Sequence, residues 1–246
     1  MLFRSAPAAW ICPAFDNPAR RVLRPDGWAD AVASLLEALV SPQDLLVLDA
    51  PGRDEIDALR ARAAYPTLSR LMLVVSPAGS TPGANATALA RAIASDPARV
   101  IQRGLAGLTL AGGAPAAAGA GVCGVRLCAG ELRLVRAVTP VPDGPWASAD
   151  VALTMGVVQA AVARALRAHT FALAGPATLN GARQDLFKAL RELVARELLC
   201  ELSTGVPGLV ELSLDREDRV SAALEVRPLG VVGVMRVEVT GPPLSG

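Results

Sequence analysis

Hydrophobic and polar positions alternate with two different periods along this chain, and the clearest pattern lies in its last third. Phe187, Leu190, Val194 and Leu198 recur at i, i+3, i+7 and i+11, which predicts a helix over 181–202 with one apolar stripe. Gly205, Pro207 and Gly208 mark its stop. The runs 209–214 and 219–226 read as strands, joined by the polar Asp215-Arg216-Glu217-Asp218 as a hairpin loop. A last strand is predicted over 231–240. Val231, Met235, Val237 and Val239 would share one of its faces, with Arg236 and Glu238 on the other. A helix lying on a small, mainly antiparallel sheet follows from this order.

Upstream, the pattern shifts to short apolar runs between helical stretches. Asp26 is placed to cap a helix over 27–40, with Trp28, Val32, Leu35, Leu36 and Leu39 inward. Leu45–Asp49 reads as a buried strand and 53–64 as a helix with Ile56 and Leu59 inward. Leu71–Val75 reads as a second strand, and a helix capped by Asn85 runs to Ser95. This alternation predicts an α/β part with parallel strands. Residues 104–121, mostly Gly and Ala, read as a loop. A hairpin follows, 122–127 and 131–138, turning at Ala129-Gly130. Pro140, Pro142, Gly144 and Pro145 then form a linker before a helix over 149–168, with Val151, Met155, Val158, Val162 and Leu166 inward. The domains expected are an extended arm over 1–25, an α/β domain over 26–140 and an α+β domain over 146–246.

Composition narrows the function. Hydrophobic residues make up 52% of the 246 and aromatics only 3%, so the core must be built of Leu, Val and Ala. The net charge of +1 gives no long-range case for nucleic acid or an anionic membrane. Lys188 is the single lysine; that arginine bias reads as a GC-rich coding sequence rather than a function. No apolar run reaches the roughly 18–20 residues of a membrane span. The N-terminus lacks a signal-peptide layout, so a protein made in the cytoplasm is expected. The arm carries Leu2, Phe3, Trp10, Ile11 and Phe15 without helical period, more apolar bulk than a free tail holds.

Candidate chemistry is thin. Cys12, Cys123, Cys128 and Cys200 lack zinc spacing and read as free thiols, so no metal is expected. Gly119 to Gly124 fits G-x-G-x-x-G, but a strand rather than a helix follows it, so no dinucleotide or other cofactor is expected. Asp49 and Ser76 end strands where α/β folds bind ligands, which keeps a small enzyme or ligand-binding domain as the alternative. Turn capping explains the same residues. His169 is the one imidazole, at a helix end, and no nucleophile motif points to it. No catalytic residue is assigned.

The run Gly124-Val125-Arg126-Leu127-Cys128-Ala129-Gly130-Glu131-Leu132-Arg133-Leu134-Val135-Arg136-Ala137-Val138-Thr139 resembles a hairpin of contractile-tail sheath proteins, from phages and related injection systems. The helix over 149–168 and the helix, hairpin and strand over 192–239 are similar to that family in order and spacing. The chain is short for a sheath subunit, and Trp146-Ala147-Ser148-Ala149-Asp150 departs from the family after the linker. The resemblance implies a non-enzymatic subunit of rings or a helical tube, assembled in the bacterial cytoplasm into a virion tail or injection particle. It implies contacts with an inner tube protein and with baseplate or tail-terminator proteins, and strand exchange between subunits. The arm residues Leu2, Phe3, Trp10, Ile11 and Phe15 and the strand residues Val231, Met235, Val237 and Val239 are then the assembly candidates.

Overall fold

The computed structural model describes residues 9–10, 25–39, 44–63, 65–77, 80–81, 83–169, 175–214, 219–231 and 233–243; at 9–10, 25–26, 65–66, 97–98 and 241–243 it describes the backbone alone. The fold is mixed α and β, with parallel strands first and antiparallel sheets after. The chain divides into two compact units, 1–153 and 154–246.

The first unit is built on a parallel sheet. Strand β1 (Ala9–Trp10) pairs with β2 (Leu45–Asp49), and β2 pairs with β3 (Leu71–Val74). Leu45–Leu48 of β2 and all four residues of β3 are apolar because both faces are covered, and Asp49 ends β2 half-buried. Leu46, Leu48, Leu71 and Leu73 face a core with Trp28, Val32 and Leu36 of α1 (Pro25–Ala38) and Ile56 and Leu59 of α2 (Arg53–Arg62). A one-turn helix, α3 (Tyr65–Leu68), adds Leu68. Leu45, Val47, Met72 and Val74 face the opposite core, where α4 (Ala84–Ser95) contributes Leu89 and Ile93 and α5 (Pro97–Arg103) contributes Val100.

That second core also receives a small antiparallel sheet. Its order is β4 (Thr109–Leu110), β6 (Glu131–Arg136), β5 (Gly124–Cys128), with Val125 and Leu134 directed inward. The hairpin turns at Ala129 (φ 51°) and Gly130 (φ 85°), two left-handed residues that match the twist of the strands. Cys123 N–H donates to Leu73 O at 2.8 Å and ties this hairpin to the parallel sheet.

Several expectations shift. Helix α1 starts at Pro25, so Asp26 lies in its first turn rather than capping it; proline suits that position. Asn85 is inside α4, whose N-cap is Gly83 (φ 77°). Helix α5 was not anticipated, although Asp96 accepts from Arg99 N–H ahead of Pro97, a legible start signal. The 104–121 stretch is a loop apart from β4. The proline-rich 139–147 stretch folds tightly: Thr139 is buried, its Oγ1 donates to Trp146 O at 2.6 Å, and its N–H donates to Ala147 O at 3.0 Å.

Helix α6 (Ala149–Arg167) follows, with Met155, Val158, Val162 and Leu166 buried and Val151 half-buried. By length and mean hydropathy α6 alone among the described helices is long and apolar enough to cross a membrane, although its uninterrupted uncharged run is only 151–163. Its apolar face is already taken up by the protein interior, as in any core helix.

In the second unit, α7 (Pro176–Ala195) packs on a sheet centred on β9 (Arg219–Pro228). Strand β10 (Met235–Pro243) pairs along one side of β9; β8 (Leu209–Leu214) and the short β7 (Leu199–Cys200) pair along the other, all antiparallel. The helix ends seven residues before the expected point. Glu197 (φ 59°) takes the left-handed conformation, Glu197 N–H donates to Val194 O at 2.9 Å, and Leu198 N–H donates to Leu193 O at 3.0 Å. This is a Schellman stop, closed by contact-forming apolar positions, Leu193 and Leu198, that are both buried. The buried stripe is Ala182, Leu186, Leu190 and Leu193; Phe187 and Val194 are only half-buried. Gly208 lets the helix approach closely, since a Cβ there would sit 3.2 Å from Leu190 Cδ1 and 3.0 Å from Glu225 O. The loop over 215–218 lies outside the described residues.

Candidate assembly surface

The sheet of the second unit presents two backbone edges. Among the described residues, β10 pairs only with β9, from Met235↔Val226 to Pro243↔Arg219. Strand β8 likewise pairs only with β9. An edge of this kind offers unpaired N–H and C=O groups to another strand. Met235 and Val237 are buried on the inner face of their own unit, and Val239 is half-buried. They hold β10 on β9, so what β10 turns outward is its backbone edge with Arg236 and Glu238. Val231 falls before the strand, in the turn where its N–H donates to Pro228 O at 3.1 Å. Strand β10 also runs three residues past the expected end and opens at Met235, after the turn at Leu229–Gly230.

Of the arm candidates, Leu2, Phe3, Ile11 and Phe15 lie outside the described residues. The backbone of Ala9–Trp10 adds a parallel strand to Leu45–Leu46 of its own chain.

The alternative ligand site is filled by the protein's own groups. Ser76 Oγ donates to Asp49 Oδ1 at 2.7 Å, and Gly83 N–H donates to Asp49 Oδ2. The carboxylate therefore occupies the start of α4, where a bound anion would otherwise sit. Asn85 completes the buckle: Nδ2 donates to Val75 O at 2.6 Å and Ala114 O at 2.8 Å, and Oδ1 accepts from Ala114 N–H at 2.8 Å. These residues knot the strand ends to the Gly/Ala loop. Asn85 escaped the sequence reading because an asparagine near a helix start resembles a cap.

The remaining candidates are likewise engaged structurally. His169 Nε2 lies 2.9 Å from Asp185 Oδ2, tying the end of α6 to α7. Cys123 is buried, its Sγ donates to Val138 O at 3.3 Å, and burial pushes its thiol pKa up to about 11, an inert thiol. Among the described residues no group of three metal-binding side chains occurs. The Gly119–Gly124 motif leads into β5, not a helix, and a Cβ on Gly121 would meet Arg60 Nη2 at 2.8 Å. These glycines serve close packing. Asp150, missed in the sequence, opens α6 with its Oδ1 accepting from Leu105 N–H at 2.5 Å, and burial raises its pKa.

This arrangement has counterparts among solved structures. A sheath tail protein from Listeria innocua matches with a TM-score of 0.67 at 10% identity, covering 94% of this chain and 55% of that one. The chain has a contractile-tail sheath-like fold. Another sheath tail protein, from Desulfitobacterium hafniense, matches the sheath-like fold with a TM-score of 0.59 at 10% identity, over 91% of this chain and 54% of that one. A chain of the anti-feeding prophage baseplate matches with a TM-score of 0.60 at 13% identity, over 91% and 64%. The chain thus spans between 54% and 64% of the length of these matched chains. No protein-family profile and no curated protein sequence matches it.

Proposed function

We propose that this chain is a non-enzymatic structural subunit of a contractile tail or tail-like injection system, a sheath or sheath-like protein. The likeness to sheath tail structures over 94% of the chain carries this reading. In it, copies assemble into rings or a tube around an inner tube protein, bounded by baseplate or terminator proteins. Strands added to the open edges of β8 and β10 connect the copies through main-chain hydrogen bonds, which need no catalytic group. Leu2 and Phe3, which precede the in-chain strand β1, are the arm residues offered to a neighbour, and the particle is built in the bacterial cytoplasm.

Negative-stain microscopy of the purified full chain tests the proposal. Rings, tubes or stacked discs are expected as concentration rises. A protein that stays a discrete monomer at every concentration and salt condition overturns it. The ligand-domain alternative would instead require a turnover or binding activity abolished by Asp49→Ala.

A further inference from the structure

On the β5–β6 hairpin, Arg126 stands directly opposite Arg133, and both are exposed. Like charges in that position repel, because their Cβ atoms lie roughly 4.5–5.5 Å apart. Arg133 is relieved by Glu131, whose Oε2 accepts from Nη2 at 2.9 Å and from Nε at 3.3 Å. Arg126 has no hydrogen-bond or ion-pair partner among the described residues. The whole β4–β6–β5 sheet carries Arg126, Arg133 and Arg136 against Glu131, and the loop between β4 and β5 carries no charge. Arg136 and Asp150 both lie near Cys123 and offset one another. With that pair set aside, two arginines face one glutamate, and the positive charge in excess sits at Arg126.

The backbone beside Arg126 is open as well. Val125 makes both of its outward hydrogen bonds with Ala116, at 2.8 and 2.9 Å. In an antiparallel ladder the next bonded pair would be Leu127 with Ala114. Ala114 is taken elsewhere: its N–H donates to Asn85 Oδ1 and its C=O accepts from Asn85 Nδ2, both at 2.8 Å. The ladder stops at Ala116↔Val125, and the N–H and C=O of Leu127 point away from β6 along a free edge. Leu127 shares the inward side of the hairpin with Val125 and Leu134, yet lies past the end of their core and is 61% exposed.

We propose that this edge of β5 docks an extended segment of a partner protein in which acidic and apolar residues alternate. A strand added there bonds to the backbone of Leu127. Its side chains point alternately to the two sides of the sheet. On one side they meet Arg126, whose guanidinium takes a carboxylate through two parallel hydrogen bonds. On the other side they cover Leu127. Charge complementarity selects the acid, and the uncovered leucine selects its apolar neighbours. The site is separate from the edges of β8 and β10, so its failure leaves the structural role proposed above standing.

Two short capped peptides, one alternating valine with glutamate and the other valine with lysine, test it against the full chain by fluorescence anisotropy at low salt. The glutamate peptide is expected to bind about tenfold or more tightly than the lysine peptide, with an affinity that falls as salt rises. Hydrogen exchange at the Leu127 N–H is expected to slow when it binds. R126E sets an opposite charge across from Arg133, which favours the hairpin. That variant is expected to melt no lower than the wild type and still to lose about tenfold or more of the glutamate-peptide affinity. R126Q, which removes the charge and keeps much of the length, replaces it if it melts early. Equal binding of the two peptides, binding of neither, an unchanged affinity in the variant, or unchanged exchange at Leu127 overturns the proposal. Self-association of the chain that R126E abolishes with no peptide present also overturns it, since a second copy then occupies the edge.

Discussion

Replacing Asn85 by alanine isolates the buckle that closes the parallel sheet. The side chain is fully buried and makes three hydrogen bonds of 2.6 to 2.8 Å to the backbone of Val75 and Ala114. Each is worth about 1 kcal/mol net, and an orphaned buried group adds roughly 1–3 kcal/mol. Water reaches part of the Ala114 region, which is half-buried, so about 3 kcal/mol is expected rather than the full sum of penalties. With a urea slope of about 2 kcal/mol/M, the midpoint moves down by roughly 1.5 M. All three tryptophans, Trp10, Trp28 and Trp146, fall within the first unit, so intrinsic fluorescence follows that unit alone. Asn85→Asp separates the donor from the acceptor role. Its carboxylate still accepts from Ala114 N–H but faces the oxygens of Val75 and Ala114 without a proton to offer, so it should be no better than alanine. A midpoint shift under about 0.5 M for Asn85→Ala, equivalent to about 1 kcal/mol at that slope, would refute the reasoning.

Glu197→Gly should stabilise the second unit by about 1 kcal/mol by relieving a left-handed non-glycine residue; a lower melting temperature by far-UV circular dichroism would count against it. Asp150 has a pKa raised by burial, so its contribution is fully present below the ordinary carboxylate value and is lost as pH rises through the raised one. The stability gap between wild type and Asp150→Asn should therefore shift in favour of the wild type as pH falls from neutrality toward about 4, and a gap independent of pH would show that the carboxyl is not desolvated. Because Ala9–Trp10 pairs with Leu45–Leu46 of its own chain, Trp10→Ala should lower the melting temperature of a non-assembling form; an unchanged melting temperature with weakened sedimentation of assembled particles would place the indole on a neighbouring subunit.

The elements legible in the sequence are those whose ends are written in local chemistry. Strand β2 is a short apolar run, and β5, β6 and β8 alternate apolar with polar residues between turn residues, while Ala129-Gly130 announces its own turn. Helix α7 was harder because its stop carries no glycine: Glu197 assumes the conformation that the sequence rules assign to glycine. Leu198 continues the helical period beyond the stop, which shifts the apparent face toward Phe187 and Val194, whereas small Ala182 belongs to the buried stripe with Leu186, Leu190 and Leu193. Asp49 and Ser76 stood out correctly as a strand-end pair, but their bonding to Gly83 and their neighbour Asn85 depends on chain segments that meet only in the fold.

The edge of β10 is open but bounded. Its regular pairing with β9 runs from Met235 to Thr240, breaks register there, and resumes only at Pro243. Pro242 and Pro243 have no N–H to give, so an added strand can engage the edge over six residues and no further. Six residues suit a single short strand from a neighbour and are too few for an unregulated, sliding stack. Arg236 and Glu238 on the solvent face supply charge that resists misregistered pairing. Under the assembly role proposed above, backbone edges would bind any strand of the right length, and side chains would decide which register and which neighbour is accepted.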